Sequence, residues 1–140
     1  MRPSPIIWFE RVALLAFALG ILNIALAWDS FTARLSTLPR LTIFLAAQLV
    51  YFGIYLLLIW LIGRRGNPIA RWIFVLFVLA AALLFLTLGM PPPPDWPISR
   101  TILTLAQCLL TLGSLGLIFG PDTGPWFRGR RTPVDPEIFR

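Results

Sequence analysis

Four long apolar runs divide the chain, and short clusters of Arg, Gly, Pro and Asp separate them. The runs cover roughly Ile7 to Trp28, Leu41 to Gly63, Trp72 to Met90 and Thr101 to Gly120. A helix crosses the hydrocarbon of a bilayer in about 20 residues, and each run is of that size. The first is interrupted near its start by Glu10–Arg11, and the other three hold no Asp, Glu, Lys or Arg. A backbone in lipid must satisfy its own hydrogen bonds, so these runs are expected as helices. The period-2 alternation of a strand is absent. The pattern predicts an all-α membrane protein: a single domain, 1–140, of four transmembrane helices in an up-down bundle, with a tail over 121–140.

The joints carry breaker signals. Asp29–Ser30 closes the first run, and the segment from Ser36 to Pro39–Arg40 opens the second. Gly63 to Pro68 reads as a tight basic turn. Pro91 to Pro94, followed by Asp95-Trp96-Pro97, reads as a stiff extended cap that continues no helix. Gly120 to Pro125 ends the fourth run, and the residues from Trp126 onward form a short polar tail.

Within the runs, small and polar residues recur at helical spacing. Ala13, Ala16, Gly20, Asn23 and Ala27 follow one another by three or four and share one helix face. Phe44, Gln48, Tyr51 and Tyr55 do so in the second run. Thr104, Gln107, Thr111 and Ser114 do so in the fourth, with Gly113, Gly116 and Gly120 on roughly the opposite face. Helices in lipid associate through small residues and buried polar contacts. Ala16, Gly20, Gly113, Gly116 and Gly120 are therefore candidate packing positions, and a fourth helix with two contact faces calls for two neighbours, one of which is a partner or a second copy if the bundle does not supply it. Counted at about 1.5 Å per residue, Asn23, Gln48 and Gln107 lie at similar depths from one side, with Thr87 a little shallower. Together with Tyr51 they form a candidate intramembrane polar layer. Its plainest reading is hydrogen-bonding between helices; its sharper one is a small pocket for a lipid headgroup, quinone-like molecule or other amphiphile.

Composition and charge sharpen this picture. Hydrophobic residues make up 58% and charged residues 13%, about half the charged share of a soluble domain, so the surface is built for lipid. The net charge is +6, and all twelve basic residues are Arg. That bias, with abundant Ala, Leu and Pro, fits GC-rich coding and a bacterial inner membrane. A basic balance suggests nucleic acid only when clustered on a water-facing surface; here the arginines sit between apolar runs. The N-terminus, the second joint and the tail carry nine Arg, against three at Arg34, Arg40 and Arg100. The positive-inside rule then places both termini in the cytoplasm, and the asymmetry argues against dual topology. Arg64, Arg65, Arg71, Arg128, Arg130 and Arg131 are expected at lipid headgroups. Trp8, Trp28, Trp60, Trp72 and Trp126 fall near run ends, as an interfacial aromatic belt requires. The first run also resembles a signal peptide ending at Ala25-Leu26-Ala27, but apolar Ile6 to Phe9 and its full spanning length favour an uncut helix.

Candidate chemistry is sparse. The chain has one Cys, Cys108, and no His or Lys. It therefore lacks an intrachain disulfide, the usual ligand sets for zinc or haem, and any His- or Lys-assisted nucleophile. No enzyme and no cofactor are expected. Glu10–Arg11 reads as a self-neutralising pair at the cytoplasmic interface. A proton-coupled carboxylate, as in small multidrug transporters, is the sharper alternative, yet the rest of that pattern is missing and the other cores hold no carboxylate or His for a relay.

The segments Trp8-Phe9-Glu10-Arg11, Asn23 with Trp28-Asp29, Arg64-Arg65-Gly66-Asn67 with Ala70-Arg71-Trp72, and Phe119-Gly120-Pro121-Asp122 with Trp126-Phe127 together resemble small, uncharacterised four-helix bacterial inner-membrane proteins. The resemblance implies the topology and no activity. The sequence thus points to an accessory or interaction subunit of the inner membrane whose partners are the bilayer and a protein or a second copy of itself, not nucleic acid. The alternatives are a small carrier or channel and an amphiphile-binding module.

Overall fold

A computed structural model describes residues 2–34, 38–87 and 97–128. The described residues are all helical, without strands. Helix α1 spans Ser4–Leu26, α2 Trp28–Arg34, α3 Leu38–Arg65, α4 Pro68–Thr87 and α5 Ile98–Ile118; a 3-10 turn, Pro121–Thr123, and a single α-turn, Gly124–Phe127, follow. Three helices are long and apolar enough to cross a membrane: Ser4–Leu26, Pro39–Arg65 and Ile98–Ile118. The third apolar run forms α4, a shorter apolar helix over Pro68–Leu83 that carries Arg71 in its first turn.

The helices begin about three residues ahead of the apolar runs, because polar first turns fit helix N-termini as well as loops. Pro3 precedes α1, and Pro5 sits in its first turn, where the missing N–H costs nothing. Asp29, expected to close the first run, instead lies in the first turn of the seven-residue α2. There the Thr32 hydroxyl donates to the carbonyls of Trp28 and Asp29.

The junction of α3 and α4 takes only Gly66 and Asn67. Gly66 adopts φ +59°, a left-handed conformation that glycine reaches without steric cost, and its N–H bonds the Ile62 carbonyl at 3.3 Å. This is a left-handed C-cap. Asn67 then caps α4: its Oδ1 accepts from the N–H groups of Ile69 (2.9 Å) and Ala70 (3.3 Å), and Pro68 occupies the first helical position. Arg64 and Arg65 complement the negative end of α3.

Helix α1 packs chiefly along α5 and secondarily on α3, and α3 packs on α4, while α4 touches α5 only lightly. The buried core gathers Ile6, Phe9, Ala13, Tyr55, Leu58, Ile59, Ile62, Ala70, Phe74, Ile118 and Phe127. An aromatic column continues from it: Phe17 meets Phe52 edge-on at 5.0 Å, and Tyr51 stacks on Phe77 at 4.8 Å. Outside this, Leu49, Leu76, Leu83, Ile102, Leu109 and many other apolar side chains are exposed, as lipid-facing surfaces are.

The segment expected as a tail begins as ordered structure. The Thr123 hydroxyl donates to the carbonyls of Gly120 (2.7 Å) and Ile118 (3.1 Å). Phe127 is buried, and the Trp126 indole donates to the Ile62 carbonyl at 3.1 Å. These turns close over the C-terminal end of α3. The prolines from Pro91 to Pro94, Asp95, and the arginines Arg130 and Arg131 lie outside the described residues.

Candidate functional site

Two places concentrate polar groups. The first is the seam between α1 and α5. The small-residue face of α1 turns inward: Ala13, Ala16, Gly20 and Ala27 are buried. Opposite it, α5 presents Thr104, Gln107 and buried Ser114. The Asn23 amide donates to the Thr104 hydroxyl at 2.9 Å. The Gln107 amide lies directly over Gly20, 2.8 Å from where a Cβ would stand. The Thr111 hydroxyl donates to the Gln107 carbonyl, and the Ser114 hydroxyl to that of Thr111, so these hydroxyls are satisfied within α5 itself.

The expected polar layer is therefore gathered in part. Asn23 and Gln107 meet the α1–α5 seam. Tyr51 belongs to the α3–α4 aromatic column instead, stacked on Phe77 and Tyr55. Gln48 is half-buried on α3 and makes no hydrogen bond among the described residues. Thr87 ends α4, and its side chain lies outside the described ones. On the far face of α5, a Cβ at Gly113 or Gly116 would meet nothing within 4 Å, and Gly120 sits beside its own helix end. Ala16 and Gly20 thus face a neighbour within the chain, while Gly113 and Gly116 face outward. Cys108 is exposed on the same helix.

The seam's hydrogen bond has a measurable weight. Intramembrane side-chain hydrogen bonds contribute about 0.6 kcal/mol on average. Asn23→Val and Thr104→Val are each expected to lower stability by about that much, and the double variant by no more than the larger single loss, in detergent-titrated unfolding of all three. Additive losses would mean that the two side chains do not pair.

The second place is the end where α1 begins, α3 ends, α4 begins and α5 ends. Glu10 pairs there with Arg2 at 2.7 Å and with Arg64 at 3.5 Å, and its carboxylate packs against Gly63. This corrects the expected Glu10–Arg11 pair. Adjacent residues on a helix point about 100° apart and do not face each other, so Arg11 instead lies over the Trp8 ring at 5.5 Å. Arg65 lies over Trp60 at 4.7 Å, and Arg128 donates to the Gly124 carbonyl at 3.4 Å.

Arg71 is half-buried among aromatic rings. Its guanidinium lies 4.7 Å from the Phe119 ring, 4.8 Å from Phe127 and 5.6 Å from Trp72. Its Nε is buried without a hydrogen-bond partner. A buried donor left unmatched costs about 1–3 kcal/mol, and facing aromatic rings offset part of that by about 0.5–2 kcal/mol each. That arginines gather at these helix ends was legible from charge and position. The rings around Arg71 were not, since Phe119 and Phe127 come from beyond a helix break and no local spacing links them to residue 71. Arg100, expected in a loop, is instead buried in the first turn of α5.

Among the described residues, no three His, Cys, Asp or Glu side chains lie close enough to hold a metal ion. Comparison with known proteins finds no matching family, no similar curated protein and no similar solved structure.

Proposed function

We propose that the chain is a multi-pass protein of the bacterial inner membrane, with four spans and both termini in the cytoplasm, that acts as an accessory or interaction subunit. As a fourth span, α4 has 20 residues, about 30 Å of helix, which matches a hydrocarbon core. The sidedness is supported by Arg2, Arg11, Arg64, Arg65, Arg71 and Arg128 belonging to helix ends that touch one another through Glu10–Arg64, Trp126–Ile62 and Arg71–Phe119.

The observation that carries the interaction reading is the use made of the intramembrane polar groups. Asn23 bonds Thr104, and Gln107 covers Gly20, so the amides that a carrier or channel needs along a passage hold two helices together instead. The outward glycine face of α5 leaves room for another helix to approach closely, from a partner protein or a second copy. An amphiphile-binding module is the second reading, favoured by Gln48, whose amide is half-buried and unmatched among the described residues.

Two measurements test this. A reporter fused after Arg140 is expected to signal from the cytoplasm; signal from the opposite side overturns the orientation. Purification in mild detergent from cells with the tagged gene at native level is expected to yield a stoichiometric protein partner or a homo-oligomer. Ion or solute flux through proteoliposomes of the purified chain overturns the accessory role in favour of a carrier or channel.

A further inference from the structure

Arg71 stands apart from the arginines around it. Arg2 and Arg64 share Glu10. Arg11 and Arg65 are exposed and rest on tryptophans. Arg71 is drawn in among rings from α4, the end of α5 and the closing turn, yet no side-chain acceptor or carboxylate among the described residues reaches it. Ring faces attract a guanidinium through its charge, but they do not accept its in-plane N–H groups as an oxyanion does. A half-buried guanidinium with an unmatched Nε and no carboxylate beside it among the described residues is short of an acceptor, and the planar fork of its terminal N–H groups suits a tetrahedral oxyanion gripped by two oxygens.

We propose that Arg71 anchors a binding site for a phosphate oxyanion, and that its source is the headgroup of an anionic membrane phospholipid. The place fits that source. Arg71 is the fourth residue of α4 and neighbours Trp72, which is 56% exposed, as a tryptophan at headgroup depth is. The first N–H groups of α4 are already taken by Asn67, so the arginine side chain, rather than the helix end, supplies the donors. The excess of arginine over Glu10 and Asp122 at this end favours a lipid with net negative charge over a zwitterionic one. Buried Phe127 backs the guanidinium, while Trp72 and Phe119 flank it with exposed edges that meet the upper acyl chain. This assignment rests on the membrane reading and adds a ligand to it.

Native mass spectrometry of the full chain in neutral detergent tests it. With phosphatidylglycerol and phosphatidylcholine supplied at equal mole fraction, the protein is expected to retain phosphatidylglycerol at least fivefold more. Arg71→Gln is expected to abolish that preference, while Arg40→Gln, at the far end of α3, keeps it. The wild-type preference needs no variant, so its absence alone overturns the site even if Arg71→Gln does not fold. Retention unchanged in a folded Arg71→Gln overturns the role of Arg71. Excess inorganic phosphate is expected to leave the lipid bound; its displacement assigns the site to a soluble phosphate and overturns the lipid source. A chain that extracts with membranes but shows no headgroup preference removes the site and leaves the membrane reading intact.

Discussion

Gly66→Ala is expected to destabilise the protein more than alanine at any other glycine of α3 or α5. Two costs add. An L-residue in the left-handed region loses about 1–2 kcal/mol, and Gly66 sits at φ +59°. The new Cβ would also stand 2.7 Å from the Trp126 carbonyl and 3.0 Å from its indole nitrogen. Backbone cannot swing aside as a side-chain tip does, so the turn Gly124–Phe127 must shift away. With it goes the indole bond to Ile62, about 1 kcal/mol. The expected total is about 2–3 kcal/mol. At Gly113 and Gly116 the space beyond is open, so alanine there should be neutral or slightly stabilising to the folded chain. Thermal midpoints of the three variants in one detergent decide it. Equal losses at Gly66 and Gly116 would falsify the account of this junction.

Phe74→Ala is expected to cost about 3 kcal/mol, near the lower end for truncating a buried phenylalanine. The lower end applies because helices unfolded within lipid still bury their side chains in hydrocarbon, so the loss is packing and cavity rather than transfer from water. Phe74 is fully buried, and its ring meets that of Phe9 edge-on at 5.5 Å and 89°. The two rings join α1 to α4 within the core that also holds Ile62, Ala70 and Ile118. A double-mutant cycle with Phe9→Ala should show a coupling of about 0.5–1.5 kcal/mol. Leu49, 73% exposed, supplies the contrast: its alanine variant should change stability by a few tenths of a kcal/mol. Comparable losses at Leu49 and Phe74 would mean that the core lies elsewhere.

Much of this was legible in the chain because helical geometry turns spacing into direction. The three-and-four rhythm of Ala13, Ala16, Gly20 and Ala27 marks one side of α1, and that side is the buried one. Thr104, Gln107 and Ser114 mark the side of α5 that meets it. The same rhythm gave Gly113 and Gly116 equal standing, yet it states only that a face exists, not that a neighbour occupies it. Contacts that return from far along the sequence were not legible. Trp126 reaches Ile62 across the whole of α4 and α5, and Phe119 and Phe127 meet Arg71 only once that return is made. Glu10 shows the local form of the same limit: its nearest partner in sequence was Arg11, while the helix turned it toward Arg2 and Arg64.

The two-residue corner between α3 and α4 constrains how the protein moves. Gly66 is held in the left-handed region, Asn67 is fastened to the start of α4, and Pro68 has its φ fixed by its ring. Few freely turning torsions are left there, so the corner resists bending and favours α3 and α4 keeping one mutual angle. A rearrangement that swings this corner away from α1 and α5 must part α1 from α3 and the Phe9–Phe74 contact, and meets little resistance between α4 and α5.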